Sequence, residues 1–254
     1  MSVAELAALL RGRQPCVVLT GAGISTESGI PDFRSPGGIW SQAEPVYFDS
    51  FLRSAEARFE YWRQKSVSYG DFARAAPNAG HRVLAAWQAA GRLVAVITQN
   101  IDELHQRAGS TGVVELHGTA WWMACLDCQQ RYPAEPYMQR FQDEQRVPPC
   151  ANCGGRLKHA TISFGQPLDE QVLNGAMQLA RSADLLLAIG SSLVVHPAAS
   201  LPAVAKRSSA RVVIINRDPT GQDELADLVL HESIGSALSA IDQDLSELDA
   251  EQPV

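Results

Sequence analysis

The sequence predicts an α/β protein, a doubly wound parallel sheet with a second, smaller domain made of inserts. Three observations carry this. Short apolar runs at 16–20, 93–97, 113–116, 184–189 and 212–215 are interspersed with helical stretches. Continuous apolar runs of this kind are strands buried on both faces. Each run then ends in Gly, Ser, Thr, Asn, Gln or His, the residues that a polar ligand needs at the carboxyl edge of such a sheet. Residues 36–80 and 120–158 lose this rhythm and read as excursions from the sheet.

Ser2 and Glu5 have the spacing of a capping box and open an Ala/Leu helix that stops near Gly12. Cys16-Val17-Val18-Leu19-Thr20 is the first strand and runs into Gly21-Ala22-Gly23-Ile24-Ser25. The first excursion holds many aromatics and an amphipathic helical stretch around Phe51 to Lys65. Strand 93–97 ends at Thr98-Gln99-Asn100, and strand 113–116 at His117-Gly118. The second excursion is rich in Cys, Pro and Gln and shows no long periodic segment. A helix over about 169–181 leads to strand 184–189, which ends at Gly190-Ser191-Ser192. A further helix leads to strand 212–215, which ends at Asn216, and an amphipathic helix covers about 234–248. No internal repeat is present.

Composition bounds the function. A chain of 254 residues with 46% hydrophobic residues has an ordinary globular core, which excludes disordered, collagen-like and coiled-coil chains. No apolar run approaches the ~20 residues of a membrane helix. The start, with Glu5 and no small-residue cleavage site, reads as a first helix and not as a signal peptide. A net charge of -7 argues against a nucleic-acid partner. Five acids and no base fall within 241–254, which is expected to be an acidic C-terminal tail. Five unevenly spread cysteines are not a disulfide scaffold and point to a reducing, cytoplasmic setting.

Gly21-Ala22-Gly23 between a strand and a helix lets the backbone approach a pyrophosphate, with helix amides as donors. The next glycine is Gly29 and no terminal acid follows on a second strand, so the turn suggests a nucleotide but not a standard dehydrogenase. Cys125-x-x-Cys128 and Cys150-x-x-Cys153 place four thiolates for a closed tetrahedral zinc; redox dithiols or buried free thiols are the other readings. Cys16, inside a buried strand, is a core thiol. His117 at a strand end can serve as a general base or as a hydrogen-bonded structural histidine. His81, His105, His159, His196 and His231 carry no catalytic claim.

Together these motifs resemble the sirtuin family of NAD-dependent protein deacylases. The stretch Gly21-Ala22-Gly23-Ile24-Ser25-Thr26-Glu27-Ser28-Gly29-Ile30-Pro31-Asp32-Phe33-Arg34 is similar to its first signature, and Thr98-Gln99-Asn100-Ile101-Asp102 with Leu104-His105 to its second. His117-Gly118, the two cysteine pairs, Phe164-Gly165, Gly190-Ser191-Ser192 and Asn216 come after them in family order, over about residues 14 to 235. The resemblance implies a Rossmann-like domain (1–35, 81–119 and 159–240) and a small domain of helical (36–80) and zinc-binding (120–158) inserts. It implies NAD as co-substrate and one structural zinc. Nicotinamide leaves, the acyl-lysine oxygen attacks the ribose, and O-acyl-ADP-ribose and free lysine result.

The same resemblance implies roles. His117 is the base for a ribose hydroxyl, and Asn100, Ile101 and Asp102 hold the nicotinamide end. Gly21, Ala22, Gly23, Ser25, Thr26, Asp32 and Arg34 line the diphosphate and nearby ribose, and Phe33 shields the reactive carbon from water. Gln99 contacts ribose, while Gly190, Ser191, Ser192, Asn216 and Ser233 lie on the adenosine side. Acyl-lysine peptides enter near Ile162 and Phe164 and are clamped as an added strand at Gly165 and Val194.

Departures from the pattern bear on the peptide-binding segment and not on NAD cleavage. Gln166 stands where an acid is usual, and Lys158-His159-Ala160 where Lys-Pro-Asp is common. Members that remove succinyl or malonyl groups carry a Tyr-x-x-Arg pair in the helical insert. Here Tyr61 is followed three on by Gln64, so neutral acyl groups are expected, acetyl first. The alternatives from the same pocket are long-chain deacylation and protein mono-ADP-ribosyl transfer. A non-catalytic NAD- or zinc-binding interaction module would not require His117, Asn100 and Asp102 together.

Overall fold

Ser2 caps the first helix, α1 (Val3–Arg11): its hydroxyl accepts from the Glu5 amide, and the Glu5 carboxylate accepts from the Ser2 amide. The computed structural model describes residues 1–12, 15–32, 38 and 44–251. Six strands form a parallel sheet: β1 (Cys16–Thr20), β2 (Ala95–Thr98), β3 (Val114–Glu115), β7 (Leu185–Ile189), β8 (Arg211–Ile215) and β9 (Leu228–Leu230). Their order is β3-β2-β1-β7-β8-β9.

Side-chain alternation divides the core into two layers. Val18, Val96, Leu187 and Val213 pack with α1, α4 (Ala79–Ala89) and α9 (Ile234–Glu251). Val17, Leu19, Leu186 and Ile214 pack on the opposite face with α7 (Glu170–Ser182) and α8 (Leu201–Arg207). The chain moves from β1 to β2 on one side and later returns to β7 on the other. The order therefore reverses at the β1–β7 pair, where α/β sheets form their ligand crevice.

The inserts build a second core. Strands β4 (Gly118–Cys125), β5 (Arg131–Pro133) and β6 (Leu157–Thr161) are antiparallel in the order β5-β4-β6. Helices α2 (Phe48–Arg53), α3 (Ala55–Arg74) and α6 (Ala134–Glu144) supply Phe51, Trp62, Met138 and Phe141 against Met123 and Leu157. The Trp62 indole N–H donates to the Leu157 carbonyl at 3.1 Å. No helix among the described residues is long and apolar enough to cross a membrane.

Three expectations need correction. The helical stretch around Phe51 to Lys65 is two helices: the Ser54 side chain accepts from the Ala57 amide, starting α3 afresh, and α3 continues to Arg74. The span 120–158 does hold regular elements, most of β4 and all of α6. In α6, Ala134, Met138 and Phe141 make a buried face at i, i+4 and i+7. Its otherwise polar sequence, with Pro136 in the first turn, hid that face. The amphipathic helix expected over about 234–248 is α9 and runs on to Glu251, so residues 241–251 belong to it and are no tail (252–254 lie outside the described residues). Ile241 and Leu245 are fully buried, Asp242 accepts from the Trp87 indole at 2.7 Å, and Asp249 pairs with Arg92 and with Arg11.

Candidate active site

A cavity of about 1180 Å³ opens beyond the carboxyl ends of β1, β2 and β7. Two glycine loops form its floor at backbone contact. The Gly23 amide donates to the Gly190 carbonyl at 2.8 Å, and a Cβ on Gly23 would stand 2.8 Å from that backbone. Gly190 itself has φ +63°, a left-handed conformation that suits glycine. The segment after β1 is not an α-helix but a seven-residue 3₁₀ helix, Ala22–Ser28, closed by Gly29. Two inward bonds fix this turn: Glu27 accepts from the Gly235 amide at 2.9 Å, and Ser25 turns to Asp102.

A buried polar chain joins β1 and β2 behind the cavity. Asn100 Nδ2 donates to Ser25 Oγ at 3.0 Å, and Ser25 Oγ–H donates to Asp102 Oδ2 at 2.7 Å. Asp102 Oδ1 also accepts from the Leu104 amide at 2.9 Å. Burial pushes the Asp102 carboxyl above the ordinary carboxylate range, while the Leu104 amide and Ser25 hydroxyl oppose that rise. Beneath lies His105 of the short helix α5 (Leu104–Arg107), whose Nε2 is 3.0 Å from Thr20 Oγ1. The His81 ring stands 4.9 Å from that of His105. Burial lowers the pKa of His105 to about 3 and that of His81 to about 4, so both are neutral structural groups. Cys16, its thiol pushed up to about 12 by burial, is inert.

His117 is positioned by the end of β2. Its Nδ1 lies 2.9 Å from the Gln99 carbonyl, which can only accept, so Nδ1 carries the hydrogen and Nε2 keeps the lone pair. Nε2 has no hydrogen-bond partner among the described residues and is left to the cavity that His117 lines. Burial pulls the His117 pKa below its usual 6.5, against the Gln99 bond, so the ring is neutral near neutral pH. A neutral imidazole fixed in this tautomer is suited to accept a proton.

Of the cofactor-side residues expected from sequence, all but Phe33 and Arg34 wall this one cavity. Gly21, Ala22, Gly23, Ser25, Thr26 and Asp32 come from the β1 loop, and Gln99, Asn100, Ile101, Asp102 and His117 from β2 and β3. Gly190, Ser191, Ser192, Asn216 and Ser233 close the other end. Gln99 Nε2 donates to Ser191 Oγ at 2.9 Å across the crevice. Phe33 and Arg34 lie outside the described residues. Ile162, Phe164 and Gly165 line the same cavity; Val194 does not, but stands exposed beside Val195, which does. The Ile162 amide donates to the His117 carbonyl at 2.9 Å, which ties the segment after β6 to the histidine.

Sequence reasoning missed the wall contributed by α3, where Tyr61, Gln64, Lys65 and Ser68 face the cavity. Their spacing of three and four was the available signal. It also missed Glu27, Arg217 and Glu232 at the other end.

The four knuckle cysteines converge, with every pair of Sγ atoms within 4.8 Å. Cys125 and Cys153 Sγ are 3.6 Å apart, and Cys128 and Cys150 Sγ 3.7 Å. The Cys128 amide points at Cys125 Sγ at 3.4 Å, and Gly154 (φ +73°) turns the second knuckle. Four thiols at this separation fit a tetrahedral zinc with no position left open. Cys125 and Cys150 are buried, which leaves the quartet a structural site at the edge of the small sheet.

The Sir2 family profile matches residues 21–197, most of the chain. The chain belongs to the Sir2 family. An NAD-dependent protein deacetylase 1 of Bradyrhizobium diazoefficiens is 50% identical over 93% of each chain. An NAD-dependent protein deacylase 2 of Pyrobaculum aerophilum is 41% identical over 94% of this chain and 92% of its own. A solved complex described as Sir2, p53 peptide and NAD+ superposes with TM-score 0.88 at 35% identity, covering 97% of this chain and 100% of that one. This Sir2-family chain therefore has the fold, the cavity and the cysteine quartet expected of an NAD-dependent enzyme with a structural zinc.

Proposed function

We propose that this Sir2-family chain is an NAD-dependent protein-lysine deacetylase that releases nicotinamide, deacylated lysine and O-acetyl-ADP-ribose. The observation that carries the reading is His117, a neutral imidazole whose Nδ1 is tied to the Gln99 carbonyl and whose Nε2 has no hydrogen-bond partner among the described residues. NAD, when bound, supplies an electrophilic ribose carbon and the ribose hydroxyls. In this reading His117 Nε2 takes the proton from one of those hydroxyls. Asn100 and Asp102, held by Ser25, position the carboxamide end. Amides and small side chains at Gly21 to Thr26 receive the diphosphate, and Gln99, Ser191, Ser192 and Asn216 the sugars. Ile162 and Phe164 exclude water from the lysine side, and the peptide lies as an added strand between Gly165 and Val194.

We further read residues 1–35, 81–119 and 159–240 as the nucleotide-binding domain, and 36–80 with 120–158 as the small domain. Zinc at the cysteine quartet fastens that second core and takes no part in the chemistry. Five cysteines with no disulfide among them suit a reducing compartment, the cytoplasm.

The test is turnover of an acetyl-lysine peptide with labelled NAD. The parent chain should yield soluble labelled O-acetyl-ADP-ribose, and His117→Ala should abolish it while melting as the parent does. Unchanged turnover in His117→Ala overturns the assignment. Stable label on protein would make it a transferase instead.

A further inference from the structure

The turn that carries Ile101 and Asp102 is held from outside the nucleotide-binding sheet, by the start of β4. Glu103, the next residue, has φ +58°, a left-handed conformation that a non-glycine residue keeps only where its surroundings hold it. Three bonds from β4 supply that hold. The Ala120 amide donates to the Ile101 carbonyl at 2.9 Å, and the Thr119 hydroxyl donates to Glu103 Oε1 at 2.6 Å. Between them, the Trp121 indole N–H donates to the Asp102 carbonyl at 2.9 Å. The Trp121 amide also donates to Thr119 Oγ1 at 3.1 Å, which leaves the hydroxyl hydrogen for Glu103.

The indole itself is wedged between two helices. Tyr69 of α3 stands edge-on to its ring, with centroids 5.9 Å apart and planes at 64°. Arg107 of α5 carries its guanidinium 5.9 Å from the ring centroid. A small apolar cluster of Ile30, Phe72, Ala75, Leu104 and Ala120 packs beside Trp121 and Ile101. Trp121 therefore ties a small-domain helix and α5 to the backbone of Asp102, whose carboxylate accepts from Ser25. No local motif marks this role, because the carbonyl that Trp121 meets is 19 residues away.

We propose that Trp121 is a positioning residue for the nicotinamide end of the cavity. Its N–H fixes the Asp102–Glu103 peptide, and through it the Ile101 and Asp102 groups that receive the carboxamide. The proposal rests on the deacetylase reading and deepens it. Trp121 makes no bond to nicotinamide itself. Cleavage of the nicotinamide bond reverses when free nicotinamide returns before the acyl group has moved on. The ring nitrogen then rebinds the ribose carbon, and the acyl-lysine oxygen leaves it. The grip on the carboxamide sets how well free nicotinamide rebinds, whereas the diphosphate and adenosine positions lie further along the cavity and do not feel it.

The experiment places β-(3-benzothienyl)alanine at position 121, which keeps both fused rings but has sulfur where the indole has N–H. Trp121→Phe is made separately. Each chain is assayed with an acetyl-lysine peptide and NAD for inhibition by nicotinamide and for exchange of labelled nicotinamide into NAD. Binding of ADP-ribose, which lacks the nicotinamide, is measured alongside by calorimetry. Both variants should weaken inhibition and slow exchange by about three- to tenfold, the loss of one hydrogen bond, with ADP-ribose affinity within about twofold of the parent. A merely structural role would weaken both ligands together. The idea is overturned if the sulfur isostere matches the parent in inhibition and exchange, or if ADP-ribose binding falls by the same factor. The isostere preserves the packing, so it decides the matter even if Trp121→Phe does not fold. A parent chain without NAD-dependent turnover or exchange would instead bring down the deacetylase reading.

Discussion

Replacing Ser25 by alanine removes one hydroxyl that serves two buried partners. Its Oγ donates to Asp102 Oδ2 at 2.7 Å and accepts from Asn100 Nδ2 at 3.0 Å, and Ser25 is 1% exposed. A hydrogen bond to a charged group contributes about 1.5–3 kcal/mol, and an unpaired buried donor costs about 1–3 kcal/mol. Partial relaxation makes about 3 kcal/mol a reasonable total for Ser25→Ala at neutral pH. For a chain of this size that corresponds to a fall in Tm of roughly 6–12 °C.

The pH dependence gives the sharper signature. Burial holds the Asp102 pKa above its unfolded value, so the native state binds the proton more tightly than the unfolded chain does. The contribution of Asp102 to stability therefore falls as pH rises through the raised pKa. Losing the Ser25 donor raises that pKa further. The deficit of Ser25→Ala against the parent should be full at neutral pH and shrink in acid, where Asp102 is protonated in both. Calorimetric melting at several pH values measures this, with kcat/KM for NAD tracked in parallel. A Tm difference below about 1 °C, or one that does not change with pH, would refute the account of the Asn100–Ser25–Asp102 chain.

The same geometry sets other outcomes. The acid limb of kcat/KM should inflect below 6.5, because burial depresses the His117 pKa and only its neutral form accepts a proton; a limb centred above 6.5 contradicts this. Metal analysis should find about one zinc per chain, and chelation should unfold the small domain and abolish turnover; full activity in a metal-free chain contradicts the structural role. Ending the chain after residue 240 should leave it largely unfolded, since it strips Ile241 and Leu245 from the core, and Leu245→Ala alone should cost about 2–5 kcal/mol. A 240-residue chain that melts like the full one would restore the acidic-tail reading.

The central sheet was legible because its strands are buried on both faces, so β1, β7 and β8 are uninterrupted apolar runs that no amphipathic helix would produce. The cysteine quartet was equally legible, since two tight knuckles are local in sequence. In α9 the helix itself was legible to about residue 248, but what its acids do was not. Its apolar residues Ile234, Leu238, Ile241 and Leu245 keep a helical period, but five acids dominated the reading. Some of those acids are engaged by Trp87, Arg92 and Arg11, partners 155 or more residues away. The 3₁₀ geometry after β1 was hidden for a similar reason, because Glu27 and Ser25 are pulled inward by Gly235 and Asp102.

By itself, the sequence determined five of the six strands of the central sheet, the glycine turn and the zinc knuckles, because each depends on neighbours a few positions away, whereas the crevice lining came only through the family resemblance and in part. Only the tertiary structure decided the tautomer of His117, which depends on a carbonyl 18 residues distant. The same holds for the raised carboxyl of Asp102, a product of burial, and for Lys65 and Lys158, which a helix and a strand bring to the one Tyr61 ring only in the folded chain. Charge and proton affinity are set by everything within a few ångströms, and a linear order of residues does not state who those neighbours are.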